Sequence, residues 1–232
     1  MTGCNPKNMK AFFQLIAFTL FATIGINVRA QKLYVTSTLS EYNAAIQKSP
    51  EKQLIDIKKA IPDITLDIRY ATDDNFMNRV MYSEASAFAR KPVVAQLKKI
   101  QKELRKKGYG LKIYDAYRPY AITVAFYEQA SDKNFVANPA KGSKHNRGCA
   151  VDLSVINYKT KEEIPMPTPF DSFAASAAVT YQNLPEAVIK NRDFLIKTME
   201  SHGFKVLNNE WWHFDFIGWQ NFELLDIPFK SL

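Results

Sequence analysis

Ser143-Lys144-His145-Asn146-Arg147-Gly148-Cys149-Ala150-Val151-Asp152 leads into a run in which Val151, Leu153 and Val155 alternate with Asp152 and Ser154. Alternation of this kind is the period of a strand, so Asp152 sits on a strand and His145 on the Gly-containing approach to it. Further along, Glu210-Trp211-Trp212-His213 opens a second alternating run, with Trp212, Phe214 and Phe216 set against His213 and Asp215. Strands hold outward side chains stiffly, so the two segments can bring His145, Asp152 and His213 to one point. Two imidazoles and a carboxylate suit zinc at a tetrahedral catalytic site in which the fourth position is left for water. Glu210, three residues before His213, fits a general base that takes a proton from that water and returns it to a leaving amine. Its simpler alternative is a surface glutamate beside aromatic core residues. The remaining histidine, His202, falls in the last turn of a helix and reads as a surface residue complementing the helix dipole.

Outward from these segments the chain reads as one mixed domain. Ile64, Leu66 and Ile68 alternate with Thr65, Asp67 and Arg69 as a half-buried strand, and Val93, Leu97, Ile100 and Leu104 recur at helical spacing behind Pro92 and stop near Gly108. Leu111 to Tyr114 is a strand delivering Asp115-Ala116-Tyr117-Arg118-Pro119, and Tyr120 to Ala130 is helical, so Arg118 stands where strand becomes helix. Ile164 to Phe170 is a Pro-rich loop. Val188, Leu195, Ile196 and Met199 mark a late amphipathic helix.

The N-terminus has the pattern of an export signal: Lys7 and Lys10, an apolar run from Ala11 to Ile26, then Val28-Arg29-Ala30 before Gln31. That run is shorter than the roughly 20 residues a spanning helix needs, so cleavage is expected in place of stable membrane insertion. Residues 1–30 are therefore expected to be a signal peptide, residues 31–53 a polar leader, and residues 54–232 the catalytic domain. Localisation follows as exported, periplasmic or secreted. Cys4 would leave with the signal, so Cys149 would be the sole mature cysteine and no intramolecular disulfide is expected. The formal charge of +8 would fall to +5 on loss of three basic residues, a modest excess that suits a soluble surface and implies no nucleic-acid partner.

Ser-x-His-x-x-Gly-x-Ala-x-Asp at Ser143 to Asp152, followed by Glu-x-x-His at Glu210 to His213, resembles the zinc D-alanyl-D-alanine dipeptidases, which include the vancomycin-resistance dipeptidase and are related to the zinc D,D-carboxypeptidases. Similarity extends from about Asp63 to Phe216. Tyr70-Ala71-Thr72-Asp73-Asp74-Asn75-Phe76 looks like that family's Tyr-Ala-Thr-x-Asp-Asn-Phe segment, Asp115 to Pro119 like its Asp-Gly-Tyr-Arg-Pro element, and Pro165 to Asp171 like its Met-Gly-x-x-Phe-Asp loop. Asn134 to Gly142 is shorter than its counterpart in the resistance enzyme, and Pro167 and Pro169 stiffen the last of these loops.

The resemblance implies an α+β domain whose antiparallel sheet carries the zinc ligands, with helices packed on it and one Zn2+ per chain. It implies His145, Asp152 and His213 as ligands, Glu210 as base, and Arg118 beside the scissile carbonyl, where a fixed guanidinium stabilises the oxyanion. Arg118 could alternatively serve a structural ion pair with Asp115. By the same carry-over Asp171 and Tyr70 take the substrate's amino group and Ser143 its C-terminal carboxylate, against the alternatives of a loop-capping aspartate and a turn serine. The expected partner is a small D-amino-acid dipeptide. Two rivals stay open: an exported zinc D,D-carboxypeptidase or endopeptidase acting on longer peptidoglycan peptides, and a zinc-stabilised binding module without catalysis. The sequence leaves the oligomeric state open.

Overall fold

Leu111 and Ile113 pair across strands with Val155 and Leu153, and Val151 with Phe214, so one face of a central sheet is built from branched and aromatic side chains buried to 0 % exposure. The computed structural model describes residues 33–130 and 132–232. Its strands and helices run β1 Val35–Thr36, α1 Leu39–Lys48, β2 Leu54–Asp56, α2 Ile57–Ala60, β3 Thr65–Leu66, β4 Phe88–Arg90, α3 Lys91–Lys106, β5 Tyr109–Asp115, α4 Tyr120–Gln129, β6 Ala150–Asn157, α5 Glu186–Glu200, β7 Phe204–Leu207, β8 Glu210–Phe216 and β9 Leu224–Leu225. The fold is α+β, as expected.

The central sheet has the order β3-β5-β6-β8-β7; β3 pairs parallel with β5 and every other pairing is antiparallel. The expected antiparallel sheet is therefore present with one parallel edge. Helix α3 begins with Pro92 in its first turn, where a missing N–H costs nothing, and buries Val93, Val94, Leu97, Ile100 and Leu104 along one stripe. Helix α5 buries Leu195 and Met199. The strand read through Ile68 is shorter than its periodicity suggests, because after Leu66 the chain turns into a 3-10 turn at Arg69–Ala71 that buries Tyr70.

The domain boundary needs correction. Residues from Leu33 onward belong to the same unit as the rest of the described chain, so the part of the expected leader that is described, residues 33–53, is folded. Strand β1 pairs parallel with β9 near the other terminus, and Tyr42 of α1 is buried with its hydroxyl accepting from the Leu54 amide at 2.7 Å. Thr38 caps α1 by accepting from the Glu41 amide. The polar surface of this helix hid a single aromatic anchor. The expected signal peptide lies outside the described residues, and among the described residues no helix is long and apolar enough to cross a membrane.

Candidate active site

Asp115, Asp152 and His213 are cross-strand partners on β5, β6 and β8, a row of three polar residues across the middle of the sheet. A register shift between Ile113 and Asp115 makes the row possible: the bulge leaves Tyr114 unpaired and brings Asp115, one residue later, opposite Asp152. All three are nearly inaccessible. Buried carboxylates and imidazoles demand partners; Asp115 and His213 have hydrogen-bond partners in Tyr82 and Asp215, whereas one oxygen of Asp152 has none.

His145 joins the row from the 3-10 turn His145–Arg147 just before β6. Gly148 ends that turn in the left-handed region at φ +65°, where a Cβ would lie 2.6 Å from Leu54 Cδ2 and 3.3 Å from the Arg90 amide nitrogen; only glycine fits both the conformation and the space. Buried Arg90 ties down the same turn, its backbone N–H donating to Gly148 O at 2.9 Å and its Nε to Arg147 O at 2.7 Å. Asn146 fastens the other side, donating to Arg118 O and Thr123 Oγ1 and accepting from the Ser143 amide.

The ring nitrogens are sorted by these contacts. His145 Nδ1 donates to Ala116 O at 2.7 Å, which leaves Nε2 facing the site; His213 Nε2 lies 2.9 Å from Asp215 Oδ1, which leaves Nδ1 facing it. Those free nitrogens are 3.2 Å apart, and Asp152 Oδ1 lies 3.0 Å from His213 Nδ1 and 3.4 Å from His145 Nε2. Asp152 Oδ1 is buried and accepts no well-formed hydrogen bond. Three lone-pair donors all within 4.8 Å of one another, one of them an orphaned carboxylate oxygen, form a set that can hold a cation. Nitrogen and oxygen donors with second-side hydrogen bonds suit a zinc-type centre. Burial opposes a charged His213, but the adjoining carboxylates of Asp152 and Asp215, with Glu210 nearby, outweigh it and push its pKa up to about 10. The site thus attracts positive charge.

The other residues singled out in the sequence converge on the same cavity of about 510 Å³: Tyr70, Arg118, Ser143, Asp171 and Glu210 all line it. Glu210 Oε2 is 3.9 Å from His213 Nδ1, and burial raises the pKa of its carboxyl. Arg118 is buried and donates through Nε and Nη2 to Asp115 Oδ2 at 3.0 and 2.5 Å. The ion pair considered as an alternative is therefore present, and it holds the guanidinium at the cavity wall. Tyr70 donates its hydroxyl to Asp171 Oδ2 at 2.9 Å. Asp171 has φ +65°, a left-handed conformation uncommon for a side chain with a Cβ, and it adopts it at the cavity wall. Ser143 Oγ accepts from the His145 amide at 3.2 Å, so it also shapes the turn.

Two carboxylates carry more weight than the sequence reading gave them. Asp115 accepts from Tyr82 OH at 2.7 Å and from Arg118, and Asp215 is held by Lys144 Nζ at 3.0 Å while it orients His213. A signal for the second was present in the His-x-Asp spacing of an alternating strand, which puts both side chains on one face. The first was legible only as the ion-pair partner considered for Arg118.

A buried two-histidine, one-aspartate set beside a glutamate and an arginine in one cavity is the set of groups that a hydrolase-type centre uses. A family model described as D-ala-D-ala dipeptidase, of the M15 peptidases, matches residues 50–228, and the chain belongs to that family. It is 29 % identical over 167 residues to the D-alanyl-D-alanine dipeptidase of Escherichia coli K12, covering 72 % of this chain and 86 % of the relative. Over 190 residues it is 28 % identical to the enzyme of the same name from Enterococcus faecalis, covering 72 % and 93 % respectively. The protein is thus a peptidase by family.

Proposed function

We propose that this chain is an exported, zinc-dependent dipeptidase that hydrolyses D-alanyl-D-alanine or a similarly short D-amino-acid dipeptide. The observation that supports it most is the meeting of His145 Nε2, Asp152 Oδ1 and His213 Nδ1 in a cavity also lined by Glu210, Arg118 and Asp171. Both relatives named above are called D-alanyl-D-alanine dipeptidases. Export is read from the apolar N-terminal run.

Zinc held by His145, Asp152 and His213 would act as a Lewis acid, polarising the scissile carbonyl and making water acidic enough to lose a proton near neutral pH. Glu210, its carboxyl raised by burial, takes that proton and delivers it to the leaving amine nitrogen. Arg118 is held in place by Asp115 through Nε and Nη2, and its positive charge faces the oxygen that becomes negative as water adds; a lost oxyanion donor costs about 3–4 kcal/mol. Asp171, steadied by Tyr70, pairs with the substrate ammonium. Ser143 offers a hydroxyl to the C-terminal carboxylate.

The deciding experiment compares free D-Ala-D-Ala, its N-acetyl form and a wall pentapeptide as substrates of the zinc-loaded protein, with a chelated control. The reading expects free dipeptide to be cleaved at least a hundredfold better in kcat/KM than the acetylated one, because a truncated buried charge pair costs about 2–5 kcal/mol. Equal cleavage of all three would favour a carboxypeptidase. Full activity in protein shown to be metal-free would remove zinc from the mechanism.

A further inference from the structure

Behind the wall of the main cavity lies a second, smaller one of about 280 Å³. Phe76 and Asp171 are the two residues that line both. Asp171 is where the reading above places the ammonium of a dipeptide, so the second cavity begins where an additional N-terminal residue would have to go.

Phe76, which lines both, is held in place. Its ring packs against Tyr70, Phe126 and Phe173 with centroids 6.2, 5.0 and 5.6 Å away. The turn that bears it is clamped by Asn75, whose Nδ2 donates to Thr72 O at 2.7 Å and to Arg79 O at 2.9 Å while Oδ1 accepts from the Met77 amide at 2.9 Å. The second cavity carries several charged side chains beside Pro169 and Phe170. Arg69 is neutralised there by Asp67 and Asp74 at 2.9 and 2.5 Å, whereas Asp73, on the same wall, has no ion-pair partner among the described residues. A space of this size lined by an unpaired carboxylate suits one small residue ending in an ammonium.

We propose that the smaller cavity is a latent subsite for the residue preceding a D-Ala-D-Ala unit, and that Phe76 determines peptide length by closing it off. The inference rests on the dipeptidase reading, which puts the substrate amine at Asp171. Removing most of the Phe76 ring joins the two spaces and lets the ammonium of a tripeptide reach Asp73.

The test measures D-Ala release from D-Ala-D-Ala and from Gly-D-Ala-D-Ala by wild type, Phe76→Ala, Phe76→Leu and the double variant Phe76→Ala/Asp73→Asn, each checked for zinc content and cooperative unfolding. Phe76→Leu keeps an apolar side chain in the partition and guards against a folding defect in the alanine variant. The tripeptide-to-dipeptide ratio of kcat/KM should rise at least tenfold in Phe76→Ala and by a smaller factor in Phe76→Leu. Adding Asp73→Asn should cut the tripeptide value severalfold without a matching loss on the dipeptide. A ratio unchanged in both Phe76 variants, or a wild type that already accepts the tripeptide as well as the dipeptide, overturns the inference while leaving the dipeptidase chemistry standing. A zinc-loaded wild type that cleaves neither peptide sinks the functional reading itself, and the subsite with it.

Discussion

Asp215 Oδ1 lies 2.9 Å from Nε2 of His213, two residues away on the same face of β8. That contact turns the imidazole so that Nδ1 faces Asp152 and His145. Lys144 and His213 together hold the Asp215 carboxyl below its ordinary pKa despite partial burial, which raises it. A carboxylate behind a metal-binding histidine fixes its tautomer and raises its basicity, and loss of such a partner costs roughly 10–100-fold in metal affinity. Asp215→Ala is therefore expected to weaken zinc binding by about that factor, measured by competition with a chromogenic chelator. Unchanged affinity would show that β8 packing alone orients His213.

Metal binding and turnover should separate at the next two residues. Glu210→Gln keeps the shape of the side chain but has no basic oxygen, so zinc content should be retained while kcat falls by about 10²–10⁴-fold. Arg118→Ala should lower kcat more than it raises KM, since its charge matters most once the oxyanion forms. Near wild-type turnover in either variant would remove that residue from the chemistry.

Asp171 gives a pH signature. Burial pushes its carboxyl up to about 7, more than the Tyr70 hydrogen bond lowers it. An unfolded aspartate titrates near 3.9, so between about pH 4 and 7 the native chain holds a proton that the unfolded chain has released, and the contribution of this group to stability falls as pH rises through that window and levels off above it. Asp171→Asn removes this dependence. In substrate-free protein, the Tm of the Asn variant relative to wild type should therefore climb from about pH 5 to about pH 8; a constant difference would contradict the shifted carboxyl.

Gly148 tests whether the turn before β6 is as tightly specified as its geometry implies. Alanine there meets both a left-handed backbone, at about 1–2 kcal/mol, and the 2.6 Å approach of Leu54 Cδ2. Gly108, at φ +81° with open space around a Cβ, is the control: Gly108→Ala pays the conformational cost alone. Denaturant titration should find Gly148→Ala clearly the less stable of the two, and its zinc affinity should fall because His145 rides on that turn.

Much of the architecture was readable because its periods are strong. Alternation around Asp152 and His213 gave β6 and β8, and the Pro92-led apolar stripe gave α3 nearly to its ends. The N-terminal segment was misread because α1 presents a polar surface and is held by one buried residue, Tyr42; a single anchor makes no period. Likewise β1 and β9 are two residues each, too short to carry a pattern, and their pairing joins positions nearly the whole chain apart.

The sequence alone named the candidate groups: two histidines, an aspartate and a glutamate at spacings that strands can present, with the family resemblance they carry. Their working geometry was decided elsewhere. The β5 bulge that brings Asp115 beside Asp152, the Ala116 carbonyl that selects the His145 tautomer, and the approach of His145 Nε2 to His213 Nδ1 all arise from residues distant in sequence. Local composition fixes which atoms are available and which backbone conformations they prefer. Which lone pair points where depends on hydrogen bonds made across the sheet, and those exist only once the strands have found their register.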